Sequence, residues 1–180
     1  VVLQNNLGDD LTITADGIST FATALDDLSA YEVTVLTQPT SPDQTCVLAN
    51  EIGVLAGADI IDITLTCTID QYDINLNVSG LALTNSLSFI NGADTITFNA
   101  DGLLTISTLD DESAYDVNIT AQPNTPDQIC TFTDPDAGNL AGGDVTINVT
   151  CITVQYTIGV NVSGLAAGNS VVLQNNAQAT

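Results

Sequence analysis

A unit of 84 residues runs through this chain just over twice, so any fold that suits one copy has to suit the other. In the front half, Tyr31 is followed by Gln38-Pro39, Pro42-Asp43-Gln44 and Cys46. In the back half, Tyr115, Gln122-Pro123, Pro126-Asp127-Gln128 and Cys130 repeat that order, each shifted by 84 positions. Cys67 and Cys151, Tyr72 and Tyr156, and the pentapeptides beginning at Val78 and Val162 share the same shift. Ala15-Asp16-Gly17 and Ala100-Asp101-Gly102 differ by 85, so one loop is a residue longer in the first copy. The hexapeptide Val-Val-Leu-Gln-Asn-Asn stands at 1–6 and returns at 171–176, which marks the same phase of the repeat at both ends. Identities that recur in register across a whole unit point to tandem copies of one supersecondary design.

The design is β. Tyr72, Ile74, Leu76 and Val78 alternate with Asp73, Asn75, Asn77 and Ser79. A period of two places one set on a buried face and the other in water. Tyr156, Ile158, Val160 and Val162 repeat the pattern, and Tyr31-Val33-Val35, Tyr115-Val117-Ile119, Ile61-Ile63-Leu65-Cys67 and Val145-Ile147-Val149-Cys151 alternate likewise. Turn signals at Ser79-Gly80, Asn91-Gly92, Asp101-Gly102, Gln122-Pro123 and Ala141-Gly142-Gly143 separate these runs. In the complete middle copy they predict seven strands, at 72–79, 86–91, 94–99, 103–108, 114–121, 128–133 and 144–151. Strands with one apolar face pack as two antiparallel sheets over a shared core. The expected fold is therefore all-β, a tandem of seven-stranded immunoglobulin-like β-sandwiches. The first occupies 1–67 without its first strand and the second 72–151, and 155–180 carries the leading strands of a third or a strand for another subunit.

Composition closes off most chemistry. The chain has no Lys, Arg or His, and 22 acidic residues give it a formal charge of −22. With no cation to meet phosphate, nucleic acid and anionic lipid are not expected partners. Without His or Lys there is no ordinary general base near neutral pH and no Schiff-base nucleophile, so no enzyme activity and no cofactor are expected. Paired carboxylates are the minimum for glycoside hydrolysis, but adjacent Asp residues point in different directions on a strand. Hydrophobic residues still make up 44% of the chain, which supports a folded core. No apolar run approaches the roughly 20 residues of a membrane span. The strand-like first residues show no signal peptide and read as a processed or excised segment.

Val78-Ser79-Gly80, the Asp101-Gly102 turn and the strand Tyr115-x-Val117-x-Ile119 resemble the immunoglobulin-like repeats of bacterial surface proteins. These include the transthyretin-like sandwiches of collagen-adhesin B-type stalk domains. The resemblance implies an extracellular adhesin or filament stalk. Isopeptide bonds through lysine, frequent in such stalks, are impossible here because the chain has no Lys.

The cysteines suggest cystine instead. Cys46 and Cys67 lie 21 apart, and so do Cys130 and Cys151, which reads as one disulfide per domain and a compartment outside the cytoplasm. A metal site would lack enough soft ligands. The loops holding Asp26, Asp27, Asp110 and Asp111 offer oxygen ligands for calcium, against the plainer reading that acidic loop tips keep the protein soluble. A structural ion at each domain junction is not expected, because Asp70 and Asp73 flank the first junction and no carboxylate flanks the second. Sequons at Asn77, Asn118, Asn148 and Asn161 fall on polar strand positions and permit glycans, although Asn and Thr are abundant throughout.

Four residues separate Cys67 from Tyr72, and Cys151 from Tyr156. Linkers so short predict stacked, semi-rigid units. The first copy lacks the strand equivalent to 72–79, while 156–163 is such a strand with no domain after it. A sandwich short of a strand exposes unpaired backbone that a free strand can fill. The expected function is thus a structural repeat of an extracellular filament or surface stalk. Copies join head to tail either by complementation through Tyr156, Ile158, Val160 and Val162 or by covalent continuation of the tandem. The alternative is an adhesive module for glycan or a calcium-dependent ligand, disfavoured by the lack of Trp and the 4% aromatic content.

Overall fold

The structure is a computed structural model that describes residues 1–175; Asn176, the end of the second hexapeptide, and the rest of 176–180 lie outside the described residues. Fourteen strands and no helix are present among the described residues. Eight strands belong to the second copy: β7 (Gln71–Ser79), β8 (Leu87–Asn91), β9 (Asp94–Phe98), β10 (Gly102–Asp110), β11 (Ala114–Ala121), β12 (Gln128–Phe132), β13 (Ala137–Asn139) and β14 (Val145–Thr153). They form two four-stranded sheets, ordered β10-β7-β14-β12 and β13-β11-β8-β9. Ile74, Leu76 and Val78 of β7, Ile147 and Val149 of β14, Leu87 and Phe89 of β8 and Val117 of β11 are buried in one cluster drawn from both sheets. Period-two alternation thus produces a sandwich-like unit, as the sequence predicts.

The seven expected strands all occur, and β13 is an eighth. Ala-Gly-Asn has little strand propensity of its own. Tyr115 pairs directly with Gly138 of β13, and a Cβ at Gly138 would come within 3.0 Å of the Tyr115 hydroxyl oxygen. The glycine makes room for the ring, and the Val117 amide, which donates to Asp136 O at 2.9 Å, extends the pairing.

Strand β7 holds the second copy together. It pairs antiparallel with β10 (Gly102↔Val78 through Asp110↔Gln71) and parallel with β14 (Val145↔Ile74 through Thr150↔Ser79). Parallel neighbours cannot be joined by a hairpin. Accordingly β7 comes from the start of the unit and β14 from its end.

The first copy has β1 (Val2–Asn5), β2 (Asp9–Thr12), β3 (Ala30–Thr37), β4 (Gln44–Ala49), β5 (Ile52–Val54) and β6 (Thr64–Ile69). The sheet β2-β1-β3-β5 reproduces β9-β8-β11-β13 strand for strand. The opposite sheet is reduced to the pair β4-β6. Residues 1–70 contain no counterpart of β7, and the counterpart of β10, around residues 18–26, forms no strand. β6 is also short, because residues 61–63 match 145–147, the positions that pair with Ile74, Asn75 and Leu76 in the second copy.

Each copy carries a disulfide, Cys46–Cys67 and Cys130–Cys151, between residues directly opposite each other in an antiparallel pair. Two cystines suit a non-reducing environment.

Candidate assembly interface

The incomplete first copy exposes what β7 covers in the second. Ile147 and Val149 are fully buried, whereas their counterparts Ile63 and Leu65 are only half-buried and Ile61 is 87% exposed. Cys67 is exposed where Cys151 is buried. Asn5 is buried with no partner for its Oδ1, while the Oδ1 of its counterpart Asn91 accepts from Asp116 N at 3.5 Å and its Nδ2 donates to Ser107 of β10 at 2.9 Å. An orphaned buried acceptor costs about 1–3 kcal/mol, and it arises here because Glu32 N, the counterpart of Asp116 N, donates to Asn6 Oδ1 at 3.0 Å instead.

A segment with the β7 pattern lies at the other end of the described chain. Residues 155–163 form no strand, and Tyr156, Ile158, Val160 and Val162 are exposed, Ile158 by 78%. In the matching positions of β7, Tyr72 is half-buried and Ile74, Leu76 and Val78 are buried. One region therefore lacks a strand of this pattern, and another carries a segment of that pattern in no sheet.

A second set of contacts defines how one copy follows another. Between β6 and β7 stands only Asp70, whose N–H donates to Asp43 O at 3.0 Å and whose carbonyl accepts from Asp111 N at 2.8 Å. Asp43 N donates to Asp111 Oδ2 at 2.7 Å and Gly142 N to Asp111 Oδ1 at 2.9 Å. The Asp43 amide hydrogen, then that of Gly142, hold the Asp111 carboxyl below its usual range. Tyr72 Oη donates to Asp43 Oδ2 at 3.2 Å, and burial followed by this bond raises the phenol above its ordinary value. Ser41 Oγ adds a bond to Glu112 Oε1 at 2.7 Å.

Each half of this clasp recurs unmatched. At the end of the second copy, Val154 N donates to Asp127 O at 2.9 Å and Tyr156 Oη to Asp127 Oδ2 at 2.8 Å, a bond that raises the Tyr156 phenol. At the start of the first copy, Gly57 N donates to Asp27 Oδ1 at 2.8 Å, the equivalent of Gly142 on Asp111. The donating half thus stands at Asp127 and the accepting half at Asp27.

The acidic loops considered for calcium take their place in this geometry. Both Asp111 oxygens accept from amide hydrogens. Among the described residues, no three Asp, Glu, Cys or His side chains come together as a metal site. Asp26, Asp27 and Asp110 are exposed, and Asp110 Oδ1 accepts from Gln71 Nε2 at 2.8 Å. Of the sequon residues, Asn118 and Asn161 are exposed. Asn77 and Asn148 are half-buried neighbours: Asn77 Nδ2 donates to Asn148 Oδ1 at 2.8 Å, and Asn148 Nδ2 donates to Asp134 at 2.7 Å. A glycan on either nitrogen would have to break that chain of bonds.

The roles of Asp43, Asp111 and Asp127 escape a reading based on charge alone. Their signal is the recurrence of Pro-Asp-Gln and Asp-Asp at one shift on either side of a short linker. No helix among the described residues is long and apolar enough to cross a membrane. No protein-family model matches the chain, and no curated protein does either.

Proposed function

We propose that this chain is a structural repeat of an extracellular filament or surface stalk, in which the groove of each first copy receives a strand with the pattern of 156–163. The observation that carries the reading is the pairing of a unit lacking its central strand with an exposed, unpaired segment that repeats that strand. The strand reaches the groove either from another chain, head to tail, or from preceding residues of a longer tandem. A head-to-tail contact joins unlike surfaces, so it propagates instead of closing into a dimer. Each unit would be an immunoglobulin-like sandwich completed by its neighbour. The one-residue linker and the Asp43–Asp70–Asp111 clasp support semi-rigid stacking of successive units. The absence of Lys and Arg removes every trypsin site, which suits long exposure outside a cell. This role calls for no catalysis, cofactor or bound nucleic acid.

Substituting Ile158→Asp and Val160→Asp tests the proposal, since both side chains are exposed and outside the folded units. Sedimentation of the native chain is expected to show multimers that the doubly substituted chain does not form. Multimers of unchanged length would sink strand exchange, and an intact mass far above one chain would assign the handover to covalent continuation.

A further inference from the structure

In the second copy, the turn after β7 is locked by two buried amide side chains, Asn85 and Gln128, each 4% exposed. Gln128 Oε1 accepts from Ala82 N and from Asn85 Nδ2, both at 2.9 Å, and Gln128 Nε2 donates to Gly80 O at 2.8 Å. Asn85 Nδ2 also donates to Pro126 O at 2.9 Å, and its Oδ1 accepts from Thr125 N at 3.1 Å. The turn itself is closed by Asn85 N donating to Ala82 O at 3.1 Å.

Both halves of this lock are present elsewhere without each other. Gln44 holds the place of Gln128, and Ser41-Pro42 that of Thr125-Pro126. The Gln44 side chain has no hydrogen-bond partner among the described residues, although its backbone N–H donates to Pro39 O at 3.2 Å just as Gln128 N does to Pro123 O at 3.1 Å. The other half follows the unpaired strand. Gly164 has φ +78°, the value at Gly80, and Asn169 N donates to Ala166 O at 3.1 Å, as Asn85 N does to Ala82 O. The turn is already formed there, with Asn169 exposed.

We infer that Asn169 of one copy docks against Gln44, the Ser41 amide and the Pro42 carbonyl of the next, and that this amide lock sets the register of strand exchange. The inference rests on the strand-exchange reading and adds what that reading lacks. Alternation of apolar residues alone tolerates a slip of two positions, because the same face stays buried. The amide pair does not, because a slip buries donors and acceptors without partners. In the docked arrangement Asn169 Nδ2 donates to Gln44 Oε1 and Pro42 O, and Oδ1 accepts from Ser41 N. Gln44 Nε2 donates to Gly164 O. The occupant is a second copy of this chain, since 156–169 carries both the strand pattern and the preformed turn at the spacing that β7 and Asn85 use.

The test adds synthetic peptides of residues 154–172 to the full chain and follows the mass of its assemblies by sedimentation. A peptide that fills the groove stops growth, so the native sequence should shorten the assemblies. Replacing Asn169→Asp turns the donor toward Gln44 Oε1 and Pro42 O into an acceptor, and this peptide should need at least about tenfold more for the same effect, the equivalent of about 1.4 kcal/mol. The chain itself is unaltered, so misfolding cannot explain a difference. Equal potency of the two peptides would overturn the lock and leave strand exchange standing. Failure of the native peptide to engage the chain would remove strand exchange and the lock together.

Discussion

The two copies of one repeat unit differ, among the described residues, by a central strand, and the difference shows what that strand holds in place. Copy two has β7 and builds two four-stranded sheets; copy one lacks it and builds four strands opposite two. Losing one strand has removed more than one strand, since the counterpart of β10 and the first three residues of the counterpart of β14 also lose their pairing. A central strand pairs on both sides, so the unit cannot be thinned from the middle and keep its edges. The half-built sheet leaves the edge of β6 unpaired where β7 pairs with β14 in the second copy.

Restoring the strand should have the largest effect. Placing residues 154–170 ahead of Val1 through a flexible linker offers the groove Ile158, Val160 and Val162 within the same molecule. Each fully buried side chain of this kind contributes about 1.5–3 kcal/mol. Amide hydrogen exchange at 61–69 is expected to slow by orders of magnitude, and exchange rates left unchanged would show that copy one is not waiting for this strand. The converse experiment drives copy two toward copy one. Leu76→Ala leaves a cavity beneath β7 and should cost about 2–5 kcal/mol in urea unfolding. Leu65→Ala, at a half-buried position of the open groove, should cost clearly less, and equal losses would contradict the comparison.

The disulfides sharpen the contrast at a smaller scale. Each closes a loop of 21 residues, worth about 3 kcal/mol through restriction of the unfolded chain. Cys67 is exposed and Cys151 is buried, so Cys46–Cys67 should be the first to yield to a gentle thiol reductant. Timed alkylation with peptide mass mapping reads the order directly. Reduction of Cys130–Cys151 first would mean that the open groove does not control access.

How much of this was legible beforehand follows from where the information sits. The alternation of Tyr72, Ile74, Leu76 and Val78 is a local signal, and it correctly places β7 and the other six strands of copy two within a few residues. The cysteine spacing foretells both cystines. β13 was hidden because its reason is across the sheet, in Tyr115 lying over Gly138. The clasp was hidden because Asp111 reads as one more solubilising carboxylate until the amides of Asp43 and Gly142 are seen to meet it. Gln128 and Asn85 appear in the sequence only as repeated letters. Their burial together depends on two segments 43 positions apart.

The smallest expected effects concern the clasp, where pH separates its made and unmade forms. Asp111 carries a depressed pKa, so its stabilisation is complete above the unfolded carboxylate value of about 3.9 and drains away as pH falls through the folded value. The tyrosines behave oppositely. Tyr72 and Tyr156 have raised values, so their bonds to Asp43 and Asp127 contribute fully below about pH 10 and are lost as pH rises through the folded pKa. Urea unfolding across the acid range should lose part of its pH slope in Asp111→Asn, because the substituted side chain no longer titrates. Asp27→Asn should leave the unfolding of an isolated chain nearly unchanged, since only the Gly57 amide meets that carboxylate there. In assembled material, where the Asp127 amide of a preceding copy is free to reach it, the same substitution should weaken association. A matching acid slope from both positions in the isolated chain would mean that the Asp43 bond adds nothing to Asp111, and the clasp would then be a contact without consequence.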